Sequence, residues 1–415
     1  MRPLLEIVRL EFRALVRSRA LAILAVVSLA WMFAMPVLVK GDGTAEGARM
    51  MFVRYSLGGV FAFTLVSLVA AGAGSLAKDR SAKRLQLTAV RPVSPFAVAF
   101  GRFIALTASG AAVLALAAVV VLCRTDVSRV CDHVLAPVME SPRAEAERMY
   151  AIYMQDPDTP KAVREAKKSD VVRILEQKAA EHYQTIGTNE TAAWTFRMPD
   201  RVPGAAVRLR FTDAYDMRED VFGTFRIGGF SGAVSNVTKS VLAVPLAGTR
   251  GTGSELVFRN EGGRPLLLRP RRDIHLLVAA DSFAANLFRA WLELVSVLGL
   301  AVAFAVFLGA GLGRSASVFT AVTVLVLSVV SPAVVEQCPY EIDTARGDLV
   351  GLALTRFAVT ATQPMNAVSP LERLSSDECV EWPETVRTLL ADLVLLPLAF
   401  AFLAAVVMPR KEDGM

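Results

Sequence analysis

The chain has 415 residues, of which 54% are hydrophobic, a formal net charge of +6 and a mean hydropathy of +0.46. Soluble domains are about 45–50% apolar, and here the excess sits in long uncharged blocks, which excludes an ordinary soluble protein. The four cysteines, Cys123, Cys131, Cys338 and Cys379, form no CxxC pair, and His133, His182 and His275 are scattered, so no metal site has sequence support.

In chain order, residues 1–19 read as an amphipathic interfacial helix. Leu4, Leu5, Val8, Phe12, Leu15 and Val16 fall near helical spacing, with Glu6, Arg9, Arg13 and Arg17 elsewhere. Membrane block one follows at 20–123, with spans expected at 20–39, 56–77 and 103–123, each close to the roughly 20 residues that cross a bilayer. A basic connection, 78–102, separates the second and third. It carries Lys78, Arg80, Lys83, Arg84, Arg91 and Arg102 against one acid, Asp79.

The character changes over 124–280. Residues 141–186 are rich in Ala, Glu, Lys and Arg and read as helical. Residues 192–280 alternate in short runs separated by Gly, Pro, Asn and Asp. Asn260-Glu261-Gly262-Gly263 predicts a hairpin turn. Membrane block two occupies 281–415, with spans at 291–311, 316–335 and 388–408 and a polar segment at 336–387. The fold class expected is therefore an α-helical polytopic membrane protein with six transmembrane helices. Its inserted extracytoplasmic α+β domain would contain an antiparallel β-sandwich or jelly-roll-like module.

Charge sets the orientation. The basic clusters before the first span, between the second and third, at Arg314, and at Arg410 and Lys411 fall on one side if six spans alternate. The positive-inside rule makes that side cytoplasmic, with both termini, and places 124–280 and 336–387 outside. The basic residues are then membrane flanks rather than a nucleic-acid footprint. An exterior loop in an oxidising compartment permits a Cys338–Cys379 disulfide, with free thiols equally open.

Four features invite a chemical reading. Gly248–Ser254 has phosphate-loop glycine spacing without the lysine, and reads as a loop between strands. Gly309, Gly311 and Gly313 favour helix packing or a turn. Glu293 and Asp392 are ionisable groups within apolar helices, which points to a polar pathway or an internal pair. Arg289 and Arg387 are candidate partners, and snorkelling to the interface is the plainer alternative. Trp194, Phe196, Tyr215 and Phe225 could form an aromatic binding surface, although alternation favours a core. No catalytic or nucleotide-binding motif is present, so the chain is not expected to be an enzyme.

The segment Lys78-Asp-Arg-Ser-Ala-Lys-Arg-Leu-Gln-Leu-Thr-Ala-Val-Arg91-Pro92-Val93-Ser94, followed by Gly101-Arg102, resembles the corresponding stretch of type-2 ABC transporter permeases. So does the element order: an amphipathic helix, two spans, a cytoplasmic connection, a third span, an exterior insert and three more spans. Lys78, Arg80, Ser81 and Ala82 replace that family's usual acidic residues and Gly-Thr pair. The resemblance covers the two membrane blocks and leaves 124–280 as an insertion. It implies the membrane subunit of an exporter in the bacterial inner membrane. Its partners would be a separate ABC ATPase subunit, which holds ATP and Mg, a second permease copy or paralogue, and membrane lipid. Lys83, Arg84, Leu85, Leu87, Val90, Arg91 and Pro92 would couple the chain to that ATPase, and this chain itself would hold no cofactor. The alternative is a non-transporting anchor or sensor whose exterior β domain binds carbohydrate, peptide or an envelope protein.

Overall fold

The computed structural model describes residues 2–39, 45–81, 94–125, 130–156, 164, 167–180, 183–197, 205–213, 220–228, 230–237, 241–246, 254–337 and 368–412. Two units form, one from Met1–Arg129 with Ser282–Met415 and one from Val130–Asp281.

In the first unit, α1 (Arg2–Arg17) turns sharply at Ser18 and Arg19 into α2 (Ala20–Leu38). Arg19 has φ 59°, a left-handed conformation that interrupts the helix and separates α1 from α2. Helix α3 runs over Ala45–Ser81, well beyond the apolar stretch 56–77. It continues through Arg49 and Arg54 because both find acids: Arg49 Nη1 donates to Asp377 Oδ1 at 2.8 Å, and Arg54 lies 3.8 Å from Glu372. Helix α4 (Pro95–Arg124) starts where the Arg-Pro-Val-Ser motif ends. Ser94 is its N-cap, its Oγ accepting from Ala97 N at 3.2 Å, and Pro95 takes the first turn, where no amide hydrogen is needed.

The second unit contains β1 (Val130–Leu135), the helices α5 (Pro142–Gln155) and α6 (Lys168–Ala180), and a run of strands. These are β2 (Gln184–Ile186), β3 (Thr191–Thr195), β4 (Ala205–Arg210), β5 (Thr212–Asp213), β6 (Asp220–Ile227), β7 (Phe230–Val237), β8 (Val241–Leu246), β9 (Glu255–Asn260) and β10 (Leu266–Leu268). A single turn, α7 (Pro270–Asp273), then leads to β11 (Ile274–Ser282). Among the described residues three sheets result, in the orders β1-β11-β4-β8, β2-β10-β5 and β3-β9-β6-β7. Alternate residues, Ala192 and Trp194 on β3, Val221 and Phe225 on β6, Leu256 and Phe258 on β9, and Leu276 and Val278 on β11, share one core.

The turn at Asn260–Gly263 is not a hairpin, because β9 and β10 belong to different sheets. Asn260 is fully buried, and its Nδ2 donates to the carbonyls of Ile186, Gly187 and Arg264, which ties the crossing chain to β2. A hairpin joins β6 and β7, where Ile227 pairs with Phe230. Gly228 has φ 55°, as such a two-residue turn requires.

The chain returns to the first unit through α8 (Phe283–Gly311) and α9 (Arg314–Gln337), then α10 (Val368–Ser375) and α11 (Trp382–Thr388). A π-helical segment, Leu389–Leu395, continues into α12 (Leu396–Glu412). Leu396 N donates to Ala391 O, five residues back. Pro397 accounts for the wide turn, since its ring would strike the carbonyl four residues back in a regular α-helix. Helix α8 is the axis of the bundle, with 78% of its most apolar stretch buried, against 22% for α2 and for the Trp382–Met408 helix. At Gly309 a β-carbon would lie 2.5 Å from Ala73 O, so α8 and α3 meet backbone to backbone.

Among the described residues, five helices are long and apolar enough to cross a membrane: Ala20–Leu38, Gly47–Asp79, Pro95–Arg124, Phe283–Gly311 and Trp382–Met408. The span expected at 316–335 falls on α9, whose described apolar part, Arg314–Ser328, is shorter than a crossing. The chain is a mostly helical, multi-pass membrane protein with a sheet-containing unit.

Candidate functional site

Polar groups gather at both ends of the bundle. Helices α4 and α8 run antiparallel, with Trp291 Nε1 donating to Ala111 O at 3.3 Å and Gly299 beside Thr107. One end therefore holds the starts of α3 and α8. The other holds the end of α3, the start of α4, and α1.

The α8 start carries Asn286, Arg289 and Glu293 at spacings of three and four, on one helical face. None could be left unsatisfied in an apolar setting. The chain from the end of α10 through α11 supplies what they need. Asn286 Nδ2 donates to Glu378 O at 2.8 Å, and Val380 N donates back to Asn286 Oδ1 at 2.7 Å. Arg289, 2% exposed, donates from Nη1 to Val380 O at 2.7 Å, and its guanidinium lies 5.5 Å from the Trp382 ring centre. Thr385 Oγ1 donates to Glu293 Oε1 at 3.0 Å, and Arg373 pairs with Glu384. Burial works against the Arg373 charge, but Glu384, Glu293 and Glu378 more than offset it and hold its pKa above the ordinary arginine value. With Arg49 bound to Asp377, the whole 372–385 stretch is strapped across the starts of α3 and α8.

Of the two carboxylates singled out in the apolar helices, Glu293 belongs to this strap, and Thr385 is its hydrogen-bond partner. Asp392 is on a different helix, buried about two turns beyond Thr385 inside the π segment. Arg289 serves the Val380 carbonyl, and Arg387 is exposed. Asn286, Thr385 and Asp377 escaped the sequence reading. The signal for the first was the 286, 289, 293 periodicity within an apolar run.

At the opposite end, Arg102 is the centre of a three-way node. Its Nε lies 2.8 Å from Glu11 Oε1 on α1, and its Nη2 pairs with Asp79 near the end of α3. Arg102 is buried at 6% exposure. Gly101 beside it leaves room for Ile7, with a would-be β-carbon 2.7 Å from Ile7 Cγ2. Helix α1 is thereby divided into three stripes. Leu4, Ile7, Glu11 and Leu15 pack inward, Leu5, Phe12 and Val16 remain exposed, and Arg9, Arg13 and Arg17 form the basic edge. An apolar stripe between protein and charge suits a helix lying in the membrane interface.

Lys83, Arg84, Leu85, Leu87, Val90, Arg91 and Pro92 lie outside the described residues, as do Cys338 of the expected disulfide, Tyr215, the 248–253 loop and the segment 338–367. Cys379 is buried between Glu378 and Val380 of the strap. Trp194, Phe196 and Phe225 are core residues of the sheet unit, at most 6% exposed, and form no binding surface. Gly309 packs against α3, and Gly313 stands in open space at the α8–α9 turn. Comparison with family models, curated proteins and solved structures finds no match to this chain.

Proposed function

We propose that this chain is the membrane subunit of an ATP-binding-cassette exporter, working as a dimer with separate ATPase subunits. The observation that carries the reading is the Glu11–Arg102–Asp79 node. It pins together the two helix ends that flank segment 82–93 and the amphipathic helix beside them. A push on that segment from below is then delivered to α1, α3 and α4 at once, as a coupling element requires. In this reading Leu85, Leu87 and Val90 fill a groove on the ATPase, with Lys83, Arg84 and Arg91 at its rim and Pro92 closing the segment. Helix α9 completes six spans and returns both termini to the cytoplasm. The three sheets then form an exterior sandwich that gates, recognises cargo or meets an envelope partner. ATP and Mg belong to the partner.

The reading is tested by co-purification with the ATPase encoded nearby and by measuring its stimulation. Reversing the charges of Arg84 and Arg91 together with Leu87→Asp is expected to abolish stimulation while the permease still assembles. Stimulation that survives these changes excludes segment 82–93 as the docking site. An anchor or sensor would show no ATPase partner at all, and it has lost its best surface, since Trp194, Phe196 and Phe225 lie in the core.

A further inference from the structure

The last crossing keeps Asp392 on its inner side. Leu390, Val394 and Leu395 around it are exposed, whereas Asp392 is 8% exposed. Among the described residues its carboxylate makes no hydrogen bond and no ion pair. Facing the bundle on a short side chain, it cannot reach the interface as a long charged side chain facing lipid can. Glu293, the other carboxylate in the apolar helices, is in a different position, because Thr385 donates to it.

The backbone at Asp392 is uncommitted as well. Leu396 N, four residues on, donates to Ala391 O, and Pro397, five residues on, has no amide hydrogen to give. The Asp392 carbonyl therefore has neither an α-helical nor a π-helical donor. A third oxygen is free nearby in the bundle. Thr107 on α4 is 6% exposed, and its Oγ1 is buried without a hydrogen-bond partner. Other buried hydroxyls bond back to their own helix, Thr64 to Val60 O and Ser109 to Ala105 O, both at 2.7 Å. Thr107 meets the π segment over Gly299, where a β-carbon would lie 2.6 Å from Leu393 Cδ1 and 3.3 Å from Thr107 Cγ2. Helices α4 and α8 and the π segment thus converge at the residue next to Asp392.

We propose that Asp392 is the anionic ligand of a site for a monovalent alkali cation of sodium's size, with its own carbonyl and the Thr107 hydroxyl as the neutral oxygens available at that level. A carboxylate taken out of water without a partner is among the costliest groups a fold can hold. One bound cation balances it. A single acid matches a single positive charge, and a divalent ion would leave an excess charge in the same apolar surroundings. The donors are all oxygens, which suit a hard cation over a soft one. Among the described residues no group of three His, Cys, Asp or Glu side chains is placed to hold a metal. A carboxylate beside a carbonyl released by an irregular helix is a general means of holding sodium inside a membrane. The proposal needs only the multi-pass fold and does not depend on coupling to an ATPase.

The experiment measures binding of radioactive sodium to the full chain in phosphatidylcholine nanodiscs, at constant pH and with ionic strength held by choline chloride. Saturable binding of about one ion per chain is expected, weakened at least about tenfold by Asp392→Asn. Thr107→Val should weaken it severalfold, and Glu293→Gln should leave it unchanged. Sodium should raise the thermal midpoint of the wild type and leave that of Asp392→Asn where it was, since a ligand stabilises only the fold that binds it. Without sodium, Asp392→Asn should be at least as stable as the wild type, because the uncompensated charge is gone, and this also reports that the variant folds. No saturable sodium binding to the wild type overturns the proposal and leaves Asp392 a carboxyl that holds only a proton. Binding that survives Asp392→Asn, or that is lost in Glu293→Gln, overturns it too.

Discussion

Arg289 is 2% exposed, with Nη1 donating to a backbone carbonyl and its guanidinium beside an indole face. Such an arrangement depends on geometry, because a guanidinium offers fixed donors where an ammonium offers a point charge. Arg289→Ala is expected to cost about 3 kcal/mol, read as a drop in thermal midpoint in detergent, since the Val380 carbonyl is left without its donor. Arg289→Lys should recover less than half of that loss. The Thr385–Glu293 bond makes a second test. Thr385→Val should cost about 1–2 kcal/mol, and adding Glu293→Leu should recover part of it, because an apolar pair leaves nothing unsatisfied. A double variant less stable than the sum of the singles would show that Glu293 has a further essential partner. Glu293 and Asp392 were legible in the sequence because a carboxylate stands out in an apolar run. Asn286 and Thr385 were not, since uncharged polar residues are ordinary in such helices and their partners lie about 90 residues away.

Among the elements, the apolar middles of the spans were legible, as were both ends of α2, while the starts of α3, α4 and α8 were not. Helix α3 reaches Ala45 and α8 starts at Phe283 because their terminal polar and charged side chains find partners in segments remote in sequence. Hydropathy reports burial in lipid, and it cannot report a partner. The strand β7 could not be marked out individually for a related reason. Phe230-Ser-Gly-Ala-Val-Ser-Asn-Val has little β propensity of its own and is held by its register on β6. Helix packing yields a sharp expectation at Gly309. Gly309→Val would force α8 off the Ala73 carbonyl, and expression in folded form should fall severely, whereas Gly313→Ala in open space should be neutral. At the other end, Glu11→Ala should free α1, giving faster tryptic cleavage at Arg13 and Arg17 with the spans still protected.

For the whole molecule, the division between membrane and sheet units was legible from hydropathy alone, while the strand pairing was not, because β9 and β10 join non-adjacent partners in three sheets. The second unit has its own core, drawn from residues of all three sheets. Residues 130–281 expressed alone are expected to be monomeric and to melt cooperatively with mixed helix and strand dichroism. A non-cooperative melt would show that the membrane unit completes that core. The count of crossings decides where the ends lie. Six spans leave the N- and C-termini on one side of the membrane, and five leave them on opposite sides. Epitope tags at the two termini, probed in sealed cells, are expected to be protected together.

The π segment gives the last crossing a fixed phase. One extra residue in a helix rotates everything beyond it by about 100°, and here Thr385 lies before the irregularity while the buried Ala401, Ala404 and Met408 lie after it. Both ends are in register with the bundle only because the surplus residue is kept. Deleting a single exposed leucine, Leu390 or Leu395, would therefore do more harm than replacing it with any apolar residue, since it would turn one half of the crossing away from its neighbours. The length of this stretch, more than its composition, is what the fold holds constant.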